Sequence, residues 1–214
     1  MNYSFRKKNK IVKYIVIHYT GMKSLKIAYS KLNRSNSDVS IHYLISRSGI
    51  IFNLLCPSLK AWHAGNSQWK KDVNLNDHSI GIELENKGHE HGYDNFSNNQ
   101  YVSLKKLIKF LNRNFQIEDK NIIFHSDISP NRKKDPGEKF LINKLDINRF
   151  KNKSLNKKKY SILALLEIYG FSKFYLNKYK SECIIAVKRS LNYKNINSKI
   201  DDRFEKDFYN LLFK

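Results

Sequence analysis

The chain has 214 residues, 41% of them apolar, which is enough for one ordinary domain plus a small appendage and excludes a disordered tail. Its two cysteines, Cys56 and Cys183, lie far apart and exclude a disulfide framework or a cysteine-rich zinc site, so a metal here needs His and carboxylate ligands. The formal charge of +21 is spread, with Lys accompanied by Asn and Ile and no basic run interleaved with stacking aromatics; it reads as compositional drift, and no nucleic-acid partner is expected.

Residues 11–18, IVKYIVIH, form a nearly continuous β-branched run of the kind buried on both faces of a sheet, and it ends in His18. A short helix is expected over residues 24–32. Two strand-like runs, 41–46 and 50–54, then flank Arg47-Ser48-Gly49, a hairpin signal in which Gly49 takes positive φ. The stretch LKAWHAGNSQW lacks periodicity and places Trp62, His63 and Gly65 in a loop, where an indole and an imidazole make a wall for a sugar or peptide, or a plug at the core edge.

Residues 79–85 read as a strand in which Ile80, Ile82 and Leu84 alternate with Gly81, Glu83 and Glu85. Gly81 leaves room for something to approach, and a mid-strand acid such as Glu83 is either solvated or placed for use. His89 and His91 read as surface histidines. Tyr101, Leu104, Leu107, Ile108 and Leu111 recur at helical spacing after Asn99, a candidate N-cap, giving an amphipathic helix that covers the sheet. Residues 121–124 form a further strand that ends at His125, and the loop HSDISPNRKKDPG follows. A helix over residues 138–150 is expected to close a first domain, 1–150.

A basic join, residues 151–159, separates that domain from a second, 160–214. The second domain reads as three short helices: Ile162, Leu165, Leu166 and Tyr169 before Gly170; Ile184, Val187 and Leu191; and Phe204, Phe208, Leu211 and Leu212 after Asp201. No run reaches the roughly 18 apolar residues of a membrane span, and the N-terminal apolar stretch is too short for a signal peptide. A soluble protein is expected.

Strands alternating with helices put polar strand-end residues on one rim of a sheet. His18, His125 and Asp135, two imidazoles and a carboxylate, suit Zn²⁺ in a catalytic site that keeps a fourth position for water. Glu83 is then placed to take the water's proton and pass it to a leaving nitrogen, and Lys133 to stabilise the oxyanion of the tetrahedral intermediate.

Five segments, VIHYT, SIHYLI, AWHAG, LNDHSIGIELEN and HSDISPNRKKDPG, in this order and at these separations, closely resemble the zinc-dependent N-acetylmuramoyl-L-alanine amidases of type 2. These form the AmpD/AmiD group, related to peptidoglycan recognition proteins. The resemblance covers about residues 11–150 and implies an α/β fold, a mixed central β-sheet flanked by helices. It makes His18, His125 and Asp135 the zinc ligands, Glu83 the catalytic acid/base and Lys133 the residue that assists the transition state. His42 matches a family histidine of the pocket or of the shell behind the ligands. With Trp62, His63, Asn86 and Arg132 it completes the candidate substrate side.

The implied partners are peptidoglycan or muropeptides, anhydro-muropeptides among them. The implied reaction splits the amide between N-acetylmuramic acid and L-alanine of the stem peptide. A bacterial protein is expected, with the choice between cytoplasm and cell envelope open. The alternative is a recognition module that binds peptidoglycan without cleaving it. Residues 160–214 resemble, more weakly, the C-terminal peptidoglycan-binding module of the AmiD branch; Val187 and Lys188 stand where such modules carry an aromatic-glutamine pair.

Overall fold

The computed structural model describes residues 2–7, 10–147, 149–150 and 160–213. The basic join expected at residues 151–159 lies outside the described residues. In chain order the elements are β1 (Ser4–Phe5), β2 (Tyr14–Tyr19), α1 (Leu25–Leu32), β3 (Tyr43–Ile45), β4 (Ile51–Asn53), β5 (Leu59–Lys60), β6 (Gln68–Trp69), β7 (Asp72–Val73), β8 (Ser79–Leu84), α2 (Asn98–Phe115), β9 (Ile122–Phe124) and α3 (His125–Ile128). After the join come α4 (Ile162–Tyr169), α5 (Lys173–Lys178), α6 (Lys180–Ser190) and α7 (Asp202–Phe213).

The central sheet has five strands in the order β4-β3-β8-β2-β9. β3, β8, β2 and β9 are mutually parallel, and β4 pairs antiparallel with β3 through the hairpin that turns at Gly49, so the sheet is mixed as expected. Strand parity then sorts the side chains into two cores. Ile15 and Ile17 of β2, Ile80, Ile82 and Leu84 of β8, and Ile122 and Phe124 of β9 pack under the apolar stripe of α2. Tyr14, Val16 and Ile123 point to the other face, where they join Trp69 and Leu75 in one cluster with Leu165, Leu166 and Tyr169 of α4, Val187 of α6, and Phe204 and Phe208 of α7. The helices after the join therefore close the second face of the sheet. Gly170 lies against Trp69 so closely that a methyl group there would stand 2.6 Å from the indole Cε2.

In its secondary structure the protein departs from the sequence expectations most clearly at the following points. The cap of α2 is Ser97, not Asn99: the Ser97 hydroxyl accepts from the Gln100 amide while the Gln100 side chain accepts from the Ser97 amide, a reciprocal arrangement that Asn99 lacks. Among the described residues of 138–150 there is no α-helix, only a 3₁₀ turn at Ile142–Leu145 that ends at Asp146 with φ 50°. The described residues 160–213 hold four helices, α5 being the addition. Finally, β9 stops at Phe124, and His125 opens α3.

Candidate metal centre

His18 lies near the C-terminal end of β2, directly across from Glu83 of β8. Both have the parity of Val16 and Gly81, so they share the face away from α2. His125 is delivered by β9, the strand on the other side of β2, and the turn it opens is held by Asp127, whose Oδ2 accepts from the Phe124 amide at 2.9 Å. The loop that follows folds back on this turn through Ser126 N–H to the Asp135 carbonyl at 3.0 Å, and so brings the Asp135 side chain beside both histidines.

The Asp135 Oδ2 lies 2.9 Å from His18 Nδ1 and 2.9 Å from His125 Nδ1, and the two ring nitrogens are 2.9 Å apart. All three residues are buried. The other nitrogen of His125 faces the Ala64 carbonyl at 3.3 Å. A carbonyl only accepts, so His125 carries its proton on Nε2 and turns a lone pair from Nδ1 toward the carboxylate. Acceptor then meets acceptor at hydrogen-bond distance, an arrangement that a cation between them satisfies. The residues therefore fit a metal ion, and among the described residues no other group of His, Cys, Asp and Glu side chains is assembled to hold one.

Burial drives the His18 imidazole down to about 4, with His125 adding to the effect and Asp135 opposing it, so at neutral pH it is uncharged, as a metal ligand needs to be.

These groups open into a cleft of about 310 Å³ that Glu83 and Lys133 also line. Glu83 Oε2 is buried with no hydrogen-bond partner. Burial pushes the Glu83 carboxyl well above its ordinary value, Asp135 adds to the rise and the Lys133 ammonium opposes it. An unpaired, proton-prone carboxyl in a cleft is suited to moving a proton.

Of the candidate substrate residues, His63 and Arg132 line the cleft. His63 stands behind His18 rather than across from it, its Nδ1 3.0 Å from His18 Nε2. Arg132 spends its guanidinium on the carbonyls of Ala64 and Asn66 and on Ser129 Oγ, strapping two loops together. His42, Trp62 and Asn86 are not brought to the cleft. His42 is enclosed, accepting from Gly81 N–H at 2.9 Å through Nδ1 and facing the Leu59 carbonyl at 3.1 Å through Nε2. Trp62 is 37% exposed, with the Lys60 ammonium 4.5 Å above its ring. Asn86 donates to the Asp94 carbonyl and accepts from Gly88 N–H, bracing its own loop.

His89, read from sequence as a surface histidine, is built in: it stacks on Tyr93 at 4.3 Å, faces the Tyr19 hydroxyl at 2.8 Å and meets Glu138 at 3.2 Å. Sequence reasoning assigned nothing to Asn76 and Ser79. Asn76 Oδ1 accepts from the amides of His63 and Ala64 at 3.0 and 2.7 Å, which fixes the loop behind both histidines. Asn76 sits in the turn just before β8 and Ser79 opens that strand, two polar residues where the apolar strand begins.

The family model for N-acetylmuramoyl-L-alanine amidase (Amidase_2) matches residues 7–138, a span that contains every residue of this centre. The chain belongs to the N-acetylmuramoyl-L-alanine amidase family. Within it, the chain is similar to AmiD of Escherichia coli, 36% identical over 141 residues, which cover 60% of this chain and 50% of that protein. It is also similar to the 1,6-anhydro-N-acetylmuramyl-L-alanine amidase AmpD of Haemophilus influenzae, 40% identical over 103 residues, 48% of this chain and 54% of that one. The matched region thus spans about half the length of these curated relatives.

Among solved structures, the amidase AmiD of E. coli in complex with anhydro-N-acetylmuramic acid-L-Ala-D-gamma-Glu-L-Lys superposes with a TM-score of 0.78 at 27% identity, covering 94% of this chain and 88% of that one. AmpDh3 of Pseudomonas aeruginosa gives 0.79 at 26%, covering 97% and 95%. Coverage this high takes in the helices after the join as well as the sheet.

Proposed function

We propose that this amidase-family chain hydrolyses the amide between N-acetylmuramic acid and the L-alanine of the stem peptide, in muropeptides or peptidoglycan, with Zn²⁺ held by His18, His125 and Asp135. The observation that carries the reading is the pair of facing acceptors, His125 Nδ1 and Asp135 Oδ2, in the same cleft as the unpaired Glu83 Oε2. The anhydro-muramyl tripeptide bound in the AmiD structure names the substrate class.

Zinc bound at these three residues supplies a Lewis acid for the water and for the scissile carbonyl. Glu83 takes the proton of the attacking water at its carboxylate and delivers it to the departing amide nitrogen. Its raised proton affinity suits the second half of that transfer. The Lys133 ammonium, close enough to act on Glu83 electrostatically, faces the negative charge that develops on the former carbonyl oxygen. The functional division follows the join: residues 1–150 carry the chemistry, and the helices of residues 160–213 serve as a unit of the peptidoglycan-binding type.

The test is release of free stem peptide from muropeptides with and without a chelator, together with Glu83→Gln. The wild-type protein is expected to release peptide only when loaded with metal, and Glu83→Gln to retain the metal and lose turnover. Zinc-loaded protein that binds muropeptides but releases nothing would instead make this a recognition module.

A further inference from the structure

His63 belongs to no step of the reaction described above, yet it is buried beside a ligand and two neighbours are shaped to it. A methyl group on Gly81 would stand 2.6 Å from His63 Cγ, so the absence of a side chain at position 81 is what admits the ring. His63 and His18 meet edge to face, with centroids 5.1 Å apart. Beyond His63 the contacts run on: its Nε2 lies 3.2 Å from Ser79 Oγ, and the Ser79 hydroxyl is hydrogen-bonded to the Leu75 carbonyl.

The direction of this chain is settled at its far end. The Leu75 carbonyl can only accept, so Ser79 gives it the single hydroxyl proton and must accept from His63 Nε2–H. A neutral His63 then has a lone pair on Nδ1, and the only proton available for the 3.0 Å contact is His18 Nε2–H. We propose that His63 is a positioning residue that, with Ser79, holds His18 as the Nε2–H tautomer and so leaves Nδ1 bare for the metal. The competing tautomer places the proton on Nδ1, donated to Asp135, and blocks the ligand atom. His63 does for His18 what the Ala64 carbonyl does for His125, and Asn76 fixes the backbone of both.

The proposal rests on the three-ligand metal reading, and its test separates the two. In metal-free wild-type protein labelled with ¹⁵N-histidine, two-bond ¹H–¹⁵N correlations report the His18 tautomer directly; Nε2–H is expected. Zinc affinity, measured by competition with a chromophoric chelator, is expected to fall about 10- to 100-fold in His63→Leu. His63→Gln offers an amide oxygen to His18 and an amide N–H to Ser79, and is expected to stay within about threefold of wild type. Finding His18 as the Nδ1–H tautomer overturns the proposal, as does wild-type zinc affinity in a folded His63→Leu. Should His63→Leu fail to fold, the wild-type tautomer decides. Wild-type protein that takes up no zinc while showing Nε2–H refutes the metal reading and the positioning role but leaves the hydrogen-bond chain intact.

Discussion

Asp127→Ala is expected to destabilise the protein by about 4 kcal/mol, and the figure follows from what the side chain holds. Asp127 is wholly enclosed, and its Arg149 partner is 3% exposed at 2.7 Å. Its oxygens also take the Tyr169 hydroxyl at 2.8 Å and the Phe124 amide at 2.9 Å. Removing one member of a buried pair typically costs about 3–5 kcal/mol because the other charge is left without a counterion. Arg149 keeps some compensation from the Phe124 and Phe150 rings, 4.4 and 4.8 Å from its guanidinium carbon, which argues against the top of that range.

The measurement is equilibrium urea unfolding read by near-ultraviolet dichroism, since Tyr169 lies among Trp69, Phe150, Phe171 and Phe208 and their packing gives the signal. The control is Asp127→Leu with Arg149→Met. Removing both charges should recover all but about 2 kcal/mol, the remainder being the Phe124 amide left unpaired. A loss under about 1 kcal/mol at unchanged m-value, or a double variant no more stable than the single, would refute the electrostatic argument.

Four further outcomes are expected. His42 is driven down to about 3 by burial, so the unfolded chain binds its proton first as pH falls below about 6.5 and stability drains away between there and about 3; from pH 7 to pH 5 wild type should lose roughly 2 kcal/mol more than His42→Gln in urea melts. Gly81→Ala should lower the melting temperature through about 1–3 kcal/mol of overpacking and weaken zinc binding as well, because the added methyl collides with His63. Lys133→Ala should keep zinc affinity while kcat falls by about 10²- to 10³-fold, and equal activity would remove Lys133 from the oxyanion role. Zinc at about a thousand times its Kd should stabilise the protein by about 4 kcal/mol over the chelated form in calorimetry, with the chelated form still folded.

Much of this was legible in the sequence where one local rule acted alone. The β-branched run of β2 and the alternation in β8 fix both strands and the face on which His18 and Glu83 lie, and the strand end at His125 with the loop after it singled out His125 and Asp135, a choice the family resemblance supported. Gly81 announced a close approach without saying by what; the answer, His63, comes from a loop 18 positions earlier, and only the folded sheet joins the two. The capping box of α2 was readable from Ser97 and Gln100, but Asn99 offered an equally good side chain in isolation. Phe140, Leu141 and Leu145 suggested a helix, yet the Tyr101 hydroxyl takes the Leu141 amide and Phe140 packs among Phe96, Tyr101 and Phe124, so tertiary contacts decide the backbone there. The Asp127–Arg149 pair left no local trace at all.

The same polar contacts bear on how the two halves of the chain depend on each other. His125 is the first residue of a four-residue helical turn, too short to hold its own shape. What holds it is Asp127 capping Phe124, and Asp127 is in turn held by Arg149 and by Tyr169 of α4. The Tyr175 hydroxyl of α5 closes the other end of the turn on the Ile128 carbonyl at 3.0 Å. Behind the site, Asn76, His63 and Ser79 tie His18 and the loop at Ala64 to the sheet through hydrogen bonds of their own. The turn that bears His125 thus takes its geometry from helices that lie beyond residue 159, which means that residues 160–213 help shape the candidate metal centre whether or not they also meet the cell wall.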